Sequence, residues 1–164
     1  MGIFHTALLL SAFLCSLVAG FLFAYAIVVM PGIKNLNDRE FIRTFQVTDR
    51  IIQNNQPIFM LVWLGSAITI IVSALYGIGR LQEVDLILLA LAALAYVLGV
   101  QLSTIAIHLP LNNKLQKLDV DAMNETDIKV ARNDFEPRWN ASNLIRTVIA
   151  CCVSVLLIIL LFRQ

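Results

Sequence analysis

Uncharged polar and basic side chains gather at three places along the sequence, each beside a long apolar run. The members are Gln53, Asn54, Asn55 and Gln56, then His108, Asn112 and Asn113, and finally Trp139, Asn140, Asn143 and Arg146. An imidazole, a guanidinium and several amides can together bind or transform a polar group. We therefore expect a site where the three clusters meet.

Two polar residues lie within the apolar runs themselves. Arg146 stands about one helical turn into the last run, where an ionisable side chain is costly unless it faces a partner or a cavity. Gln101 stands about two turns before His108 and extends the polar line inward. Each residue also has a purely structural interpretation, because asparagine caps helices and arginine or tryptophan at a helix end reaches the lipid head groups.

The apolar runs are the elements that must position these side chains. They cover about residues 3–30, 58–79, 84–109 and 144–162, close to or above the ~20 residues that a helix needs to cross ~30 Å of hydrocarbon. The chain is 59% apolar and only 14% charged, unlike a soluble domain. The sequence predicts one all-α domain over residues 1–164, an integral membrane four-helix bundle with short amphipathic helices in its two long loops.

The basic residues are distributed unevenly between the connections. Nine of them lie in loops 31–57 and 110–143, whereas only Arg80 and Arg163 lie in the short connection and at the C-terminus. Because cytoplasmic loops carry the excess of lysine and arginine, both long loops should be cytoplasmic and both termini outside.

The first long loop has the pattern of an amphipathic helix. Asn37 and Glu40 have the spacing of a capping box. The apolar residues that follow near one face are Phe41, Ile42, Phe45 and Ile52. We expect this helix to run to about Asn54 and to lie along the inner leaflet.

The second long loop has a similar pattern. Asn124 and Asp127 can cap a helix that carries Ile128, Ala131 and Phe135 on one side. Pro137 should end this helix before Trp139, because proline cannot donate the backbone hydrogen bond of a helix interior.

Small residues recur every four positions in the apolar runs, a spacing that lets helices approach closely in lipid. They are Ala12, Ser16, Gly20 and Ala24; Gly65, Thr69, Ser73 and Gly77; Ala95, Gly99 and Ser103; and Ala150 and Ser154. We expect these stripes to pack within the bundle, although they could also join two copies of the chain. The short connection at residues 79–83 makes the second and third helices antiparallel neighbours.

Metal and cofactor motifs are missing from the sequence. His5 and His108 fall at opposite ends of their helices, too far apart to share a heme. Cys15, Cys151 and Cys152 lack ligand spacing and are expected to pack as small hydrophobic residues. We therefore expect no cofactor. The expected partners are membrane lipids, and we expect no nucleic-acid partner.

Four segments of the chain are distinctive: Gly20-Phe21 through Met30-Pro31-Gly32, Asn54 to Phe59, Pro110 to Asn113, and Arg138 to Thr147. Together they resemble a small membrane family that includes fungal anthrone oxygenases. The most distinctive marks are the Pro-x-Asn after the third run and the Trp-x-x-x-Asn-x-x-Arg-Thr that enters the fourth. The resemblance covers nearly the whole chain.

The resemblance implies a cofactor-independent oxygenase that acts on a hydrophobic aromatic molecule. The methylene group of an anthrone is acidic, and its anion can react with O₂ without a metal. His108 would be the general base and Arg146 would stabilise the oxyanion. The substrate-binding residues would be Asn112 and Asn143, which orient the substrate, Trp139, which stacks on it, and Asn54, Gln101 and Asn113.

Two other functions remain compatible with the sequence. The polar clusters could bind a lipid head group or a small solute in a binding or transport protein, or the chain could be a structural subunit of a membrane complex. Titratable residues across the full membrane thickness would favour transport, and the second and fourth runs have none beyond Arg146.

The predicted topology can be tested by cysteine labelling. A cysteine introduced by Asp121→Cys should not react with an impermeant reagent in intact cells, because the second long loop should be cytoplasmic. Efficient labelling would show that the second long loop lies outside and would contradict the predicted topology.

Overall fold

The computed structural model describes residues 2–164, and these residues form five helices without a strand. We number them α1 (Ile3–Ile33), α2 (Asp38–Gln53), α3 (Pro57–Gly77), α4 (Glu83–Gln116) and α5 (Glu125–Phe162). All except α2 are long and apolar enough to cross a membrane. The predicted all-α fold with four spans is confirmed, and the chain is a multi-pass membrane protein.

Two of the helices extend well beyond the apolar runs. α4 continues to Gln116, and α5 begins at Glu125 and runs through Pro137 without a break. The expectation that Pro137 ends a separate helix was therefore wrong. Proline removes one backbone hydrogen bond, but Phe135 and Trp139 on either side of it are buried, and this packing holds the helix together.

The four long helices pack into a bundle with two distinct ends. We call the loop end the one that carries α2 and the connection from α4 to α5, and the terminal end the one that carries both chain termini. α1 makes the most extensive contacts, with α3 and α5, and α3 also packs against the first half of α4, as the short connection predicts. The buried side chains of Leu8, Cys15, Ile70, Tyr96 and Leu157 form the core.

A second apolar core lies at the loop end, where α2 packs against α5 and the end of α4. Asn37 caps α2 as predicted, since its side chain accepts a hydrogen bond from the Glu40 N–H at 2.9 Å. The apolar face of α2 does not lie in the leaflet as expected, because Phe41, Ile42 and Phe45 are buried against protein. α2 is therefore part of the bundle.

The polar face of α2 is fixed by ion pairs. Arg39 bonds to Glu125 at 2.8 Å, and Arg43 pairs with Asp121. Arg132 of α5 bonds to Asp38 at 2.9 Å. Exposed pairs contribute little individually, so their main effect is to set the direction in which α2 crosses the loop end.

The small-residue stripes differ in what they contact. A Cβ atom on Gly99 would lie 2.6 Å from Ile149 Cδ1, and one on Gly65 would lie 3.1 Å from Leu14 Cδ1. These glycines permit close helix contacts, as expected. Gly20 has no atom near the position of a Cβ and is exposed, so the expectation that it packs within the bundle was wrong.

The contrast between two of these glycines predicts different effects of the same substitution. Gly99→Leu should lower the free energy of unfolding by about 1–3 kcal/mol, because the new side chain pushes α4 away from α5. Gly20→Leu adds an apolar side chain to an exposed position and should leave stability unchanged. Thermal unfolding in detergent measures both, and equal melting temperatures would contradict the packing of α4 on α5.

Candidate functional site

A cavity of about 440 Å³ opens at the loop end of the bundle. All five helices contribute to its wall. Aromatic side chains cover much of the wall, namely Phe21, Tyr25, Phe45, Phe59, Trp63 and Trp139. The polar side chains on the wall come mainly from α2, α4 and α5, so the cavity can hold a flat apolar molecule that carries a polar group.

Two wide turns in α4 help to place the polar residues. The backbone forms π-helical turns at Val97–Leu102 and Thr104–His108. Each wide turn inserts an extra residue and rotates the side chains that follow, an arrangement common at functional sites. Gln101, Thr104 and His108 all belong to these turns and all line the cavity. Pro110 follows directly, where the shifted backbone bonding tolerates its missing N–H.

Arg146 carries its charge into the cavity wall without a counterion. Its side chain is buried; Nε donates to Asn143 Oδ1 at 3.0 Å and Nη1 donates to Thr104 Oγ1 at 3.0 Å. No carboxylate within residues 2–164 forms an ion pair with it, and Nη2 has no hydrogen-bond partner there. A buried guanidinium held by neutral groups is a strong attractor for an anionic or oxygen-rich ligand.

His108 lies on the same wall and is 2% exposed. Its Nε2 lies 2.9 Å from Ser142 Oγ, and its ring meets the Trp139 ring edge to face, with centroids 5.1 Å apart. The other nitrogen, Nδ1, has no hydrogen-bond partner in the described part of the chain. If Nε2 donates to Ser142, Nδ1 holds the free lone pair that a general base requires.

A line of hydrogen bonds connects the cavity to α2. The Trp139 Nε1–H donates to Asn112 Oδ1 at 3.0 Å, and Asn112 Nδ2 donates to Asp49 Oδ1 at 2.7 Å. Asp49 Oδ2 accepts further bonds from Gln53 at 2.6 Å and Gln116 at 3.1 Å. Burial raises the pKa of the Asp49 carboxyl above its ordinary value of 3.8, although these amide donors oppose the rise.

The cavity wall includes six of the eight residues selected from the sequence: His108, Arg146, Asn112, Asn113, Trp139 and Gln101. Asn143 is buried behind the wall, where it holds Arg146 and donates to Leu22 O at 3.3 Å. Asn54 is exposed at the end of α2, and its neighbours Gln53 and Asn55 line the cavity instead.

Sequence reasoning missed several polar groups of this site. Asp49 follows Phe41 and Phe45 at four-residue intervals, so a lone carboxylate on the apolar face of α2 was a visible signal. Thr104 lies one turn before His108, but threonine is common in membrane helices. Ser142 gave no signal, because its contact with His108 depends on how α4 and α5 pack.

Comparison with known proteins gives one match. A family model described as anthrone oxygenase matches residues 51–156, a stretch that contains every residue selected from the sequence but excludes Asp49. No curated protein and no solved structure matches the chain. The match covers three of the four resembling segments, and the segment at residues 20–32 lies outside it.

The buried Asp49 predicts a specific dependence of stability on pH. A carboxyl group with a raised pKa in the folded protein binds more protons folded than unfolded, so its contribution to stability falls as pH rises from the ordinary pKa through the raised one. The stability of the natural chain relative to Asp49→Asn should therefore decline from about pH 4 upward and then level off. Thermal unfolding in detergent tests this, and parallel curves for the two proteins would contradict it.

Proposed function

The chain belongs to the anthrone oxygenase family, and from this membership we propose that the cavity at the loop end oxidises a lipophilic, enolisable aromatic molecule with O₂. The observation that carries the proposal is the uncompensated guanidinium of Arg146 beside the His108 imidazole on an aromatic wall. Such a wall accepts fused rings, while the two polar groups match an acidic C–H bond and the oxygen that its loss makes negative.

The reaction of an anthrone can be written with these groups alone. Removal of a methylene proton gives an enolate, and transfer of its electrons to O₂ forms a carbon–oxygen bond and a peroxide anion. The peroxide takes the proton back from the base. Loss of the second methylene hydrogen as a proton, with cleavage of the O–O bond, leaves the quinone carbonyl and releases water. One O₂ is consumed and one water is formed.

His108 is the proposed base in this scheme. With its proton on Nε2, toward Ser142, the imidazole keeps an unpaired acceptor at Nδ1, a buried atom that a bound substrate would have to reach. The edge-to-face contact with Trp139 restricts the ring orientation. The hydrogen bonds from Trp139 to Asn112 and from Asn112 to Asp49 fix the indole in turn, so α2 supports the base indirectly.

Arg146 is the proposed electrophilic group. Bonds to Asn143 and Thr104 hold two of its nitrogens, so the guanidinium is already oriented before the substrate binds. A preorganised donor of this kind stabilises charge that develops in the transition state. Gln101, Asn112 and Asn113 provide further hydrogen-bonding groups on the wall, and Trp139 can stack on the substrate.

A binding or transport role is the alternative, and the terminal end of the bundle disfavours transport. There Phe4, Leu8, Leu89, Leu157 and Leu160 are buried together. Solute passage would require a polar route past this apolar core. The cavity lies at the loop end, so a molecule would enter and leave it at that end of the bundle.

We further propose that the loop end lies at the cytoplasmic face, with both termini outside, because nine basic residues lie in the two long loops. The expected partners are membrane lipids around the four spans and a hydrophobic aromatic substrate in the cavity. A homo-oligomer that joins through small-residue faces is a further expectation.

Substitution of the two central residues tests the proposal. In detergent-solubilised protein, His108→Ala should lower kcat for anthrone oxidation by about 10²–10⁴-fold and largely spare binding. Arg146→Ala should lower kcat/KM by about 10²–10³-fold, and Arg146→Lys should not restore it, since an ammonium lacks the planar fork of donors. O₂ uptake and quinone absorbance measure turnover.

The matched control is Arg138→Ala, since Arg138 is also a basic residue of α5 but is exposed. It should leave turnover unchanged. Equal activity of the Arg146→Ala and Arg138→Ala proteins would contradict a role of Arg146 in the chemistry, and full activity of His108→Ala would remove the proposed base.

A further inference from the structure

The loop-end part of α3 is less buried than the rest of this helix. The buried residues of α3 are Ser66, Ile70, Ser73 and Gly77, and none lies in residues 57–65. The cavity lies on one side of this segment and a second groove of about 320 Å³, toward α1, lies on the other. Phe59 and Trp63, stacked with centroids 5.8 Å apart, separate the two. This segment contacts α1, where the Phe59 and Phe21 rings have centroids 5.3 Å apart.

α3 and α4 diverge toward the loop end. They pack closely where α3 meets Glu83–Tyr96, but contacts beyond Tyr96 are sparse. The last hydrogen bond between them in the described chain joins Gln101 Nε2 to Trp63 O at 3.3 Å. Beyond this bond, the space between the two helices is the cavity itself.

The gap between α3 and α4 is lined by apolar side chains that also face the membrane. Leu64 of α3 is 52% exposed, and Ile105 and Leu109 of α4 are 59% and 42% exposed, yet all three belong to the cavity wall. The cavity surface thus continues into the lipid-facing surface through these three apolar side chains.

α2 covers part of the aqueous side of the cavity, next to a mouth where Asn55 and Asn113 are exposed. Gln46 Nε2 donates to Leu115 O at 2.8 Å and to Leu118 O at 3.0 Å, and Gln116 Nε2 donates to Gln46 O at 2.8 Å. The Asn112–Asp49 bond adds a fourth link between α2 and the end of α4. These bonds hold α2 against the end of α4, so the polar groups of both helices are paired with each other on this side of the cavity.

We propose that the substrate enters sideways from the bilayer, through the gap between α3 and the loop-end half of α4. This inference rests on the proposed function for the identity of the substrate, a membrane-dissolved aromatic molecule. Fused rings partition into hydrocarbon and slide past Leu64 and Ile105, while the polar edge is drawn inward to Arg146. Residues 57–65 of α3 form one side of this portal, and Ile105 and Leu109 of α4 form the other.

The two tryptophans of the chain allow entry to be observed without turnover. Both line the cavity, and Trp63→Phe leaves Trp139, which is 3% exposed, as the only reporter. In phospholipid vesicles, dibromobenzene dissolved in the bilayer quenches fluorescence on contact, and acrylamide does the same from water. The lifetime of Trp139 should be shortened by dibromobenzene and scarcely by acrylamide.

Narrowing the portal should reduce this quenching. In the Trp63→Phe background, Leu64→Phe with Ile105→Phe should lower the rate constant for dibromobenzene by about tenfold, equivalent to about 1.4 kcal/mol added to the entry barrier. Ile68→Phe is the matched control, because Ile68 is 60% exposed on α3 but does not line the cavity. Gln46→Ala, which removes hydrogen bonds between α2 and the end of α4, should not accelerate quenching by dibromobenzene.

Two outcomes would overturn lateral entry: equal quenching constants for the portal and control variants, or more effective quenching by acrylamide than by dibromobenzene. O₂ uptake with anthrone in the same vesicles is recorded separately. Quenching that follows the portal substitutions without any O₂ uptake would reject the oxygenase and keep the portal. Turnover of anthrone by variants whose quenching is unchanged would reject the portal and keep the oxygenase.

Discussion

Arg146 places a positive charge inside a membrane-spanning helix with no carboxylate beside it. The surrounding residues must therefore accept the hydrogen bonds that water would otherwise accept. Asn143, one turn earlier on α5, and Thr104, in a wide turn of α4, each accept one of its hydrogen bonds. An amide and a hydroxyl solvate a guanidinium without neutralising it. The charge therefore stays available to a ligand, at a cost that the packing of the rest of the bundle must offset.

That requirement explains features of the structure that a simple four-helix bundle would not need. The wide turns of α4 bring Thr104 and His108 onto the wall that Arg146 faces. The unbroken course of α5 through Pro137 places Trp139, Ser142 and Arg146 on one helix, so the aromatic contact, the partner of His108 and the cation keep a fixed relation. A separate helix ending at Pro137 would have left Trp139 on a loop and the imidazole without its edge contact.

Much of the fold follows from local pattern, because the length and the hydropathy of a span are properties of a single segment. Arg146 and His108 were likewise visible as polar groups at the ends of apolar runs. The rest of the fold depends on which helix faces pack against each other. Gly20 and Gly99 have the same spacing to their small neighbours, yet only Gly99 contacts another helix. The apolar face of α2 fits a leaflet as well as it fits α5, and only the packing of α5 beyond its apolar run decides between them.

The position of α2 explains why the cavity surface has a polar side and an apolar side. By laying Gln46 and Asp49 against the end of α4, α2 saturates the hydrogen-bonding groups that would otherwise face water. The same course leaves the start of α3 connected to α2 only through a short turn in which Asn55 has a φ of 57°. A hydrogen bond from Gln101 to Trp63 O then joins residues 57–65 to α4. On the side away from α2, the wall includes Leu64, Ile105 and Leu109, which also face lipid, so the cavity lies next to the hydrocarbon in which an aromatic substrate dissolves.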